Sequence, residues 1–260
     1  MMKNIKAVCF FDLDGTLLNE KSVLGVDTIQ ALSQLKANGV LPVIATGRSM
    51  KEVKHLVEAG KIDAFLTLNG QYIEVSGEKV YESVFSPEEV EAFIQFVQEN
   101  RYGVALYNAF EFWGYALTDE MVHAYAVIHA PTPPISQTKH LEKNIHMLLA
   151  LTETPDRDVE FYQAFPSFNY FRNSPSSIDI TKDGNDKGVG VKRLLEKLNL
   201  VDVPTYAFGD GRNDLALLKA VNHPIAMENA IPELKDVAEF VTKSNADGGI
   251  VFALQHFGLI

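Results

Sequence analysis

Apolar residues recur along this chain in two rhythms, and the change from one to the other divides it into three stretches. In the first, short unbroken apolar runs alternate with helical spacing. Ala7 to Phe11 is apolar throughout and of strand length. Val26 to Asn38 carries Ile29, Leu32 and Leu35 on one helical face, with Gly39 just past its end. Leu41 to Ala45 predicts a second strand, Ser49 to Ala59 a second helix, Ala64 to Leu68 a third strand, and Asn69-Gly70 a turn. Alternation of this kind builds right-handed βαβ units around a parallel sheet.

The texture changes near Glu82. Ser86-Pro87-Glu88-Glu89 is a capping box with proline in the first turn, and the helix it opens carries Val90, Phe93, Ile94 and Val97. Short aromatic-rich strands are expected at Val104 to Tyr107 and Glu111 to Tyr115, and a helix at Asp119 to Ile128. After a proline-rich loop, Pro131 to Pro134, come a strand at Ile145 to Leu151 and a helix at Asp156 to Ala164. Phe168 to Phe171 and Ser177 to Thr181 read as paired strands.

Parallel texture returns after Lys187. It predicts helices at Gly188 to Leu198, Asp214 to Val221 and Pro232 to Val237. Strands are predicted at Thr205 to Phe208, Pro224 to Met227 and Glu239 to Val241. The fold class is therefore α/β, with a parallel-sheet core formed by residues 1–81 and 186–260. An α+β domain of residues 82–185 is inserted into it.

Composition narrows the function. With 260 residues and 47% apolar content the chain can bury a full core. Asp and Glu total 34 against 23 Lys and Arg, a net charge of −11. That balance argues against nucleic acid, whose phosphate backbone needs a basic footprint. A single cysteine, Cys9, lies inside the first strand and reads as a core thiol, with no internal disulfide to form. The first apolar run is cut at Asp12, too short for a signal peptide or a membrane span, so a cytoplasmic location without a membrane partner is expected. A monomer or a homodimer fits equally.

The chemistry collects where strands end. Phe11 is followed by Asp12-Leu13-Asp14-Gly15-Thr16. Burying a charge is costly unless it is paired or bound to a metal, so two acids after an apolar strand point to a site at the carboxyl edge of the sheet. In extended backbone Asp12 and Asp14 face the same side, and two oxygen ligands there suit Mg²⁺ better than zinc. A solvated acidic turn is the competing reading. Gly209-Asp210-Gly211-Arg212-Asn213-Asp214 repeats the pattern, with Asp210 adding a carboxylate and Asn213 and Asp214 in the first turn of a helix. An ordinary turn with an N-cap would look similar. Thr46-Gly47-Arg48 offers a hydroxyl, backbone N–H groups and a guanidinium, which make an anion site or a simple cap. Lys187 opens a helix against its macrodipole, a misfit that favours neutralising a phosphate. Phosphoryl transfer through an aspartyl-phosphate accounts for the whole set.

Those motifs, in that order, resemble the haloacid dehalogenase-like hydrolase superfamily, and within it the Cof-type group with a type IIB cap. The resemblance spans essentially the whole chain, through Asp12-Leu13-Asp14-Gly15-Thr16, Ala45-Thr46-Gly47-Arg48, Asn69-Gly70, Lys187-Gly188 and Gly209 to Asp214. It implies a Rossmann-like core and a cap domain that selects substrate. It implies Asp12 as nucleophile and Asp14 as acid and base. It also implies Mg²⁺ held by Asp12, the Asp14 backbone carbonyl and Asp210, with Asp214 near the metal. Thr46, Gly47, Lys187 and Asn213 would serve the phosphate, and Arg48 and Asn69 the substrate. The implied activity is hydrolysis of a small phosphorylated metabolite, such as a sugar phosphate or phosphorylated cofactor. A phosphotransferase or mutase is the near alternative, and a non-enzymatic binding protein the distant one.

In the insert, Tyr107, Phe110, Phe112, Trp113 and Tyr115 either line a pocket or pack, and packing is the commoner fate of strand-spaced aromatics. Asp179 is a candidate polar contact or, equally, a solvated strand residue. His123, His129, His140 and His146 show no ligand spacing. Lys182-Asp183-Gly184-Asn185-Asp186 departs from the family pattern by its extra acids.

Overall fold

The computed structural model describes residues 5–127 and 130–260. It forms two compact units, one built from residues up to Tyr81 and from Asp186 onward, the other from Glu82–Asn185. In chain order the first unit begins with β1 (Ala7–Phe11), α1 (Val26–Ala37), β2 (Val40–Ala45), α2 (Met50–Val57), β3 (Ala64–Thr67), β4 (Tyr72–Val75) and β5 (Glu78–Glu82). The second unit contains α3 (Pro87–Glu99), β6 (Gly103–Tyr107), β7 (Phe112–Gly114), α4 (Asp119–Val127), β8 (Met147–Leu151), α5 (Asp158–Ala164), β9 (Phe168–Ser174) and β10 (Ser177–Lys182). The chain then returns with α6 (Lys187–Leu198), β11 (Thr205–Gly209), α7 (Leu215–Lys219), β12 (His223–Ala226), α8 (Pro232–Lys235), β13 (Phe240–Val241) and α9 (Gly249–His256).

The first unit is organised by a sheet in the order β13-β12-β11-β1-β2-β3-β4-β5. Pairing is parallel from β13 through β3, and β4 then runs antiparallel to β3. β1 lies at the centre, fully buried, between β2 and β11. The strand order grows outward in opposite directions from that point, and ligands of open α/β sheets bind at such a switch, beyond the carboxyl ends of the strands.

The second unit is a five-stranded antiparallel sheet, β7-β6-β8-β10-β9. Its core gathers Phe93, Trp113 and Phe161, all fully buried, with Val90, Leu106, Leu148 and Ile178. The Ser86 capping box is present: Glu89 N–H donates to Ser86 Oγ at 3.2 Å, and Ser86 N–H donates to Glu89 Oε2 at 2.6 Å. Trp113 and Tyr107 are buried in this unit, and the Tyr107 ring stacks on Phe112 at 5.0 Å, so these aromatics pack rather than line an open pocket. Phe110 alone of the five is exposed.

Several expected boundaries move. The strand expected at Glu111 to Tyr115 is only Phe112–Gly114, and the helix expected at Ser49 to Ala59 ends at Val57, beyond which the chain tightens over Glu58–Gly60. The helix starting at Asp119 runs to Val127; Ile128 and His129 lie outside the described residues. Neither β5 nor α9 is evident in the sequence. Glu78–Glu82 is too polar to read as a strand, and Gly249–His256 is an apolar run of strand length. Among the described residues no helix is long and apolar enough to cross a membrane.

Phe161 packs against Tyr102 at 4.7 Å, Phe96 at 5.4 Å and Phe93 at 6.1 Å between ring centroids. Phe161→Ala should lower stability by about 3–5 kcal/mol through the cavity it leaves. The chain's one tryptophan, Trp113, lies in the same core, so its fluorescence during urea unfolding reads the loss directly. An unchanged midpoint would show that this cluster contributes little.

Candidate active site

The carboxyl edge of the parallel sheet carries the polar residues that the sequence singles out. Asp12 leaves β1 in extended backbone (φ −64°, ψ 162°), its N–H bonded to Phe208 O at 3.0 Å. The chain then reverses sharply through Leu13 to Leu17, with Gly15 at φ 75°. A side chain at Gly15 would be strained there and would also overlap the Asp210 carboxylate. The turn after β1 is thus in contact with the turn after β11. Thr16 ties them further, its Oγ1 donating to Asp210 Oδ1 at 2.8 Å.

Lys187 joins the same centre from the first turn of α6. Its Nζ donates to Asp12 Oδ1 at 2.6 Å and to Asp214 Oδ1 at 2.7 Å, and its side chain has no solvent exposure. The helix start is made tolerable by Asp186, whose Oδ1 accepts from Val189 N–H at 2.8 Å. One of the extra acids before Lys187 therefore has a capping role. The other carboxylate oxygen of Asp214 accepts from the N–H groups of Asp210 at 3.1 Å and Gly211 at 3.0 Å, which closes the second turn.

The electrostatics are unbalanced. Three carboxylates, Asp12, Asp210 and Asp214, face one ammonium. Burial, then Asp214, pushes the Asp12 carboxyl well above the usual carboxylate range, and Lys187 only partly offsets this. Burial likewise lifts Asp210 to about 6, against the Thr16 hydrogen bond. Burial alone would lower Lys187, but Asp12 and Asp214 outweigh it and hold its ammonium charged. A carboxyl raised in the folded state stabilises the protonated form. For Asp210 the resulting penalty is present above pH 6 and fades as pH falls toward its ordinary value near 4.

One oxygen from each of Asp12, Asp210 and Asp214 lies within 4.8 Å of the others. An all-oxygen, anionic, partly buried donor set with excess negative charge fits a hard divalent cation. These residues can hold one, and it would relieve the imbalance.

Asp14 lies beside this cluster, near enough to Asp210 to act on its charge. Its two oxygens accept from Arg48, at 2.7 Å from Nε and 2.5 Å from Nη2, in an ion pair that is partly exposed. Its carboxylate is therefore not part of the acidic cluster, and its backbone carbonyl remains the atom that the family resemblance assigns to the metal. Arg48 is engaged with an acid rather than presented as an open anion site. Thr46 is buried after β2, its Oγ1 accepting from Arg48 N–H at 3.2 Å across Gly47. Leu68 and Asn69 both adopt left-handed backbone, φ 52° and 53°, an unusual pair for residues other than glycine. The turn they make places Asn69 Oδ1 to accept from Asn213 Nδ2 at 3.1 Å. Gly70, at φ 93°, comes so close to the Asp186 carbonyl that no side chain would fit, and this brings the turn against the start of α6.

Three further residues belong to this edge. Thr16 stands within the first motif, and its position after Gly15 is the only sequence signal for its bond to Asp210. Asn229 and Asn245, each a few residues past a short strand, bond the backbone of the first turn. Asn-Ala and Asn after Ser read as ordinary loop residues, so the sequence carries no comparable signal for them.

The pattern of haloacid dehalogenase-like hydrolases matches residues 9–254. YkrA of Bacillus subtilis is 30% identical over 253 residues, spanning 96% of this chain and 97% of that protein. The HMP-PP phosphatase of Klebsiella pneumoniae is 29% identical over 86% of this chain and 85% of its own. Among solved structures, the HAD subclass IIB sugar phosphatase BT4131 superposes with a TM-score of 0.86 at 29% identity, covering 97% of this chain and 99% of that one. The chain belongs to the haloacid dehalogenase-like hydrolase family and is a phosphatase of that superfamily.

Proposed function

We propose that this protein is a Mg²⁺-dependent phosphatase that hydrolyses monoesters of small phosphorylated metabolites through an aspartyl-phosphate on Asp12. The observation that carries this reading is a buried Asp12 with one oxygen paired to a fully buried lysine and two more carboxylates beside it. An inserted unit that selects a sugar phosphate or phosphorylated cofactor is supported by the substrates named for the sugar phosphatase and the HMP-PP phosphatase.

In this mechanism Lys187 occupies Asp12 Oδ1 and orients the carboxylate, so Oδ2 attacks phosphorus. The ester P–O bond breaks, and Asp14, having left Arg48 and taken a proton from solvent, gives that proton to the leaving oxygen. Asp14, now a carboxylate, takes a proton from water as that water attacks phosphorus. The acyl P–O bond breaks, inorganic phosphate leaves, and Asp12 is regenerated. To do this Asp14 must exchange its Arg48 partner for the leaving group. Thr46, the Gly47 N–H and Lys187 hold phosphoryl oxygens, and the Asn213–Asn69 pair supports that pocket. Mg²⁺, held by Asp12, Asp210 and the Asp14 carbonyl with Asp214 behind, would supply charge neutralisation at the phosphoryl group.

Phosphate release from a panel of phosphorylated metabolites should require Mg²⁺ and be abolished by EDTA. It should fall about a thousandfold or more in Asp12→Asn. Turnover that survives either change overturns the reading. Lys187→Met should cost about 3–5 kcal/mol of stability in denaturant unfolding, because it leaves Asp12 and Asp214 buried without a counter-charge. A variant as stable as the parent would show that the ammonium is not what makes this buried acid pair tolerable.

A further inference from the structure

The loops after β12 and β13 do more than connect elements. The first of them touches both acid-bearing turns. Met227 N–H donates to Gly209 O at 3.0 Å, and Ile231 N–H donates to Asp210 O at 3.0 Å, which fixes the second turn. Between them, Asn229 reaches the first turn: its Nδ2 donates to Gly15 O at 2.8 Å. The loop after β13 braces this contact. Asn245 N–H donates to Asn229 Oδ1 at 3.2 Å, and Asn245 Nδ2 donates to Leu18 O at 2.8 Å. One amide thus holds the middle of the reversal after Asp12 and the other holds its exit.

The Gly15 carbonyl matters because it belongs to the peptide that ends at Thr16 N. Rotating that peptide moves the Thr16 hydroxyl away from Asp210 Oδ1 on one side and swings Asp14 on the other. Gly15 also lies directly against the Asp210 carboxylate, so a shift of the turn displaces the acid itself. Positioning tolerances at reacting centres are small: misplacement by about 1 Å can cost about a hundredfold in rate.

We propose that Asn229 and Asn245 are positioning residues. Together they clamp the Asp12–Thr16 turn against Asp210, so that the oxygens of Asp12, Asp210 and Asp214 keep the spacing a divalent cation requires and Asp14 keeps its place. The inference rests on the roles proposed above for Asp12 and Asp14. Asn229 is exposed and Asn245 half-buried, at the surface of the first unit, so neither is needed to fill a core.

The test is to make Asn229→Ala, Asn245→Ala and the double variant in the full chain, with Asp12→Asn alongside. Each single variant should lose about 10–100-fold in kcat, with KM changed less than about threefold. Mn²⁺ binding, read by electron paramagnetic resonance without substrate, should weaken about tenfold or more. Melting temperatures should stay within about 3 °C of the parent. The double variant should be little worse than the more damaged single variant, because both amides act on one turn. Parental kcat and Mn²⁺ affinity would overturn the clamp, as would an activity loss that merely follows a loss of melting temperature. An inactive Asp12→Asn beside unaffected asparagine variants would remove only the clamp. An active Asp12→Asn would remove the nucleophile assignment itself.

Discussion

Everything at the carboxyl edge depends on one ammonium buried between two carboxylates. Lys187 has no solvent contact, and a lysine is tolerated there only because Asp12 and Asp214 accept from it at 2.6 and 2.7 Å. The dependence is mutual, since the ammonium offsets part of the cost of burying both acids. The three residues come from the end of β1, the first turn of α6 and the turn before α7, far apart in sequence. Their meeting requires the parallel sheet to bring those segments to one edge, and the close approach of Gly70 to the Asp186 carbonyl seats the start of α6.

The same arrangement explains why the site is costly when empty of cations and apt for phosphate chemistry. With Asp210 added, the carboxylates exceed the ammonium by two charges. A protein of net charge −11 meets an anionic substrate by building a local positive centre. Lys187 brings one positive charge to the site, and a bound divalent cation would bring two more and cancel the excess of the acids. The cluster is thus held in a state that folding alone does not favour, which is common at sites arranged for chemistry.

The α/β class, the inserted α+β segment and the motif residues are legible in the sequence because each is local. Asp12 and Thr46 follow apolar runs directly, Asp210 follows one after a single glycine, and the order of strands and helices is carried by spacing. What is not legible depends on distant partners. Nothing near Asp14 in sequence shows that Arg48 will take both its oxygens. The misfit of Lys187 with its helix marks it as special, but its pairing with Asp12 and Asp214 appears only once the sheet is assembled. Asn229 and Asn245 sit in loop segments where asparagine is ordinary, yet they bond backbone more than two hundred residues away. The aromatics of the insert had two physical readings, and the burial of Trp113 and Tyr107 decides for packing. β5 and α9 escaped because their polarity and length do not separate strand, helix and loop.

Transfer of the phosphoryl group to Asp12 is the step on which the proposed activity stands. Rapid acid quench of the enzyme with a radiolabelled phosphomonoester that it hydrolyses tests this most directly. Protein-bound label should form and decay fast enough to explain turnover, be released by hydroxylamine as an acyl phosphate, and map to Asp12. Full turnover with no protein-bound label at any quench time, or label on another residue, would contradict it.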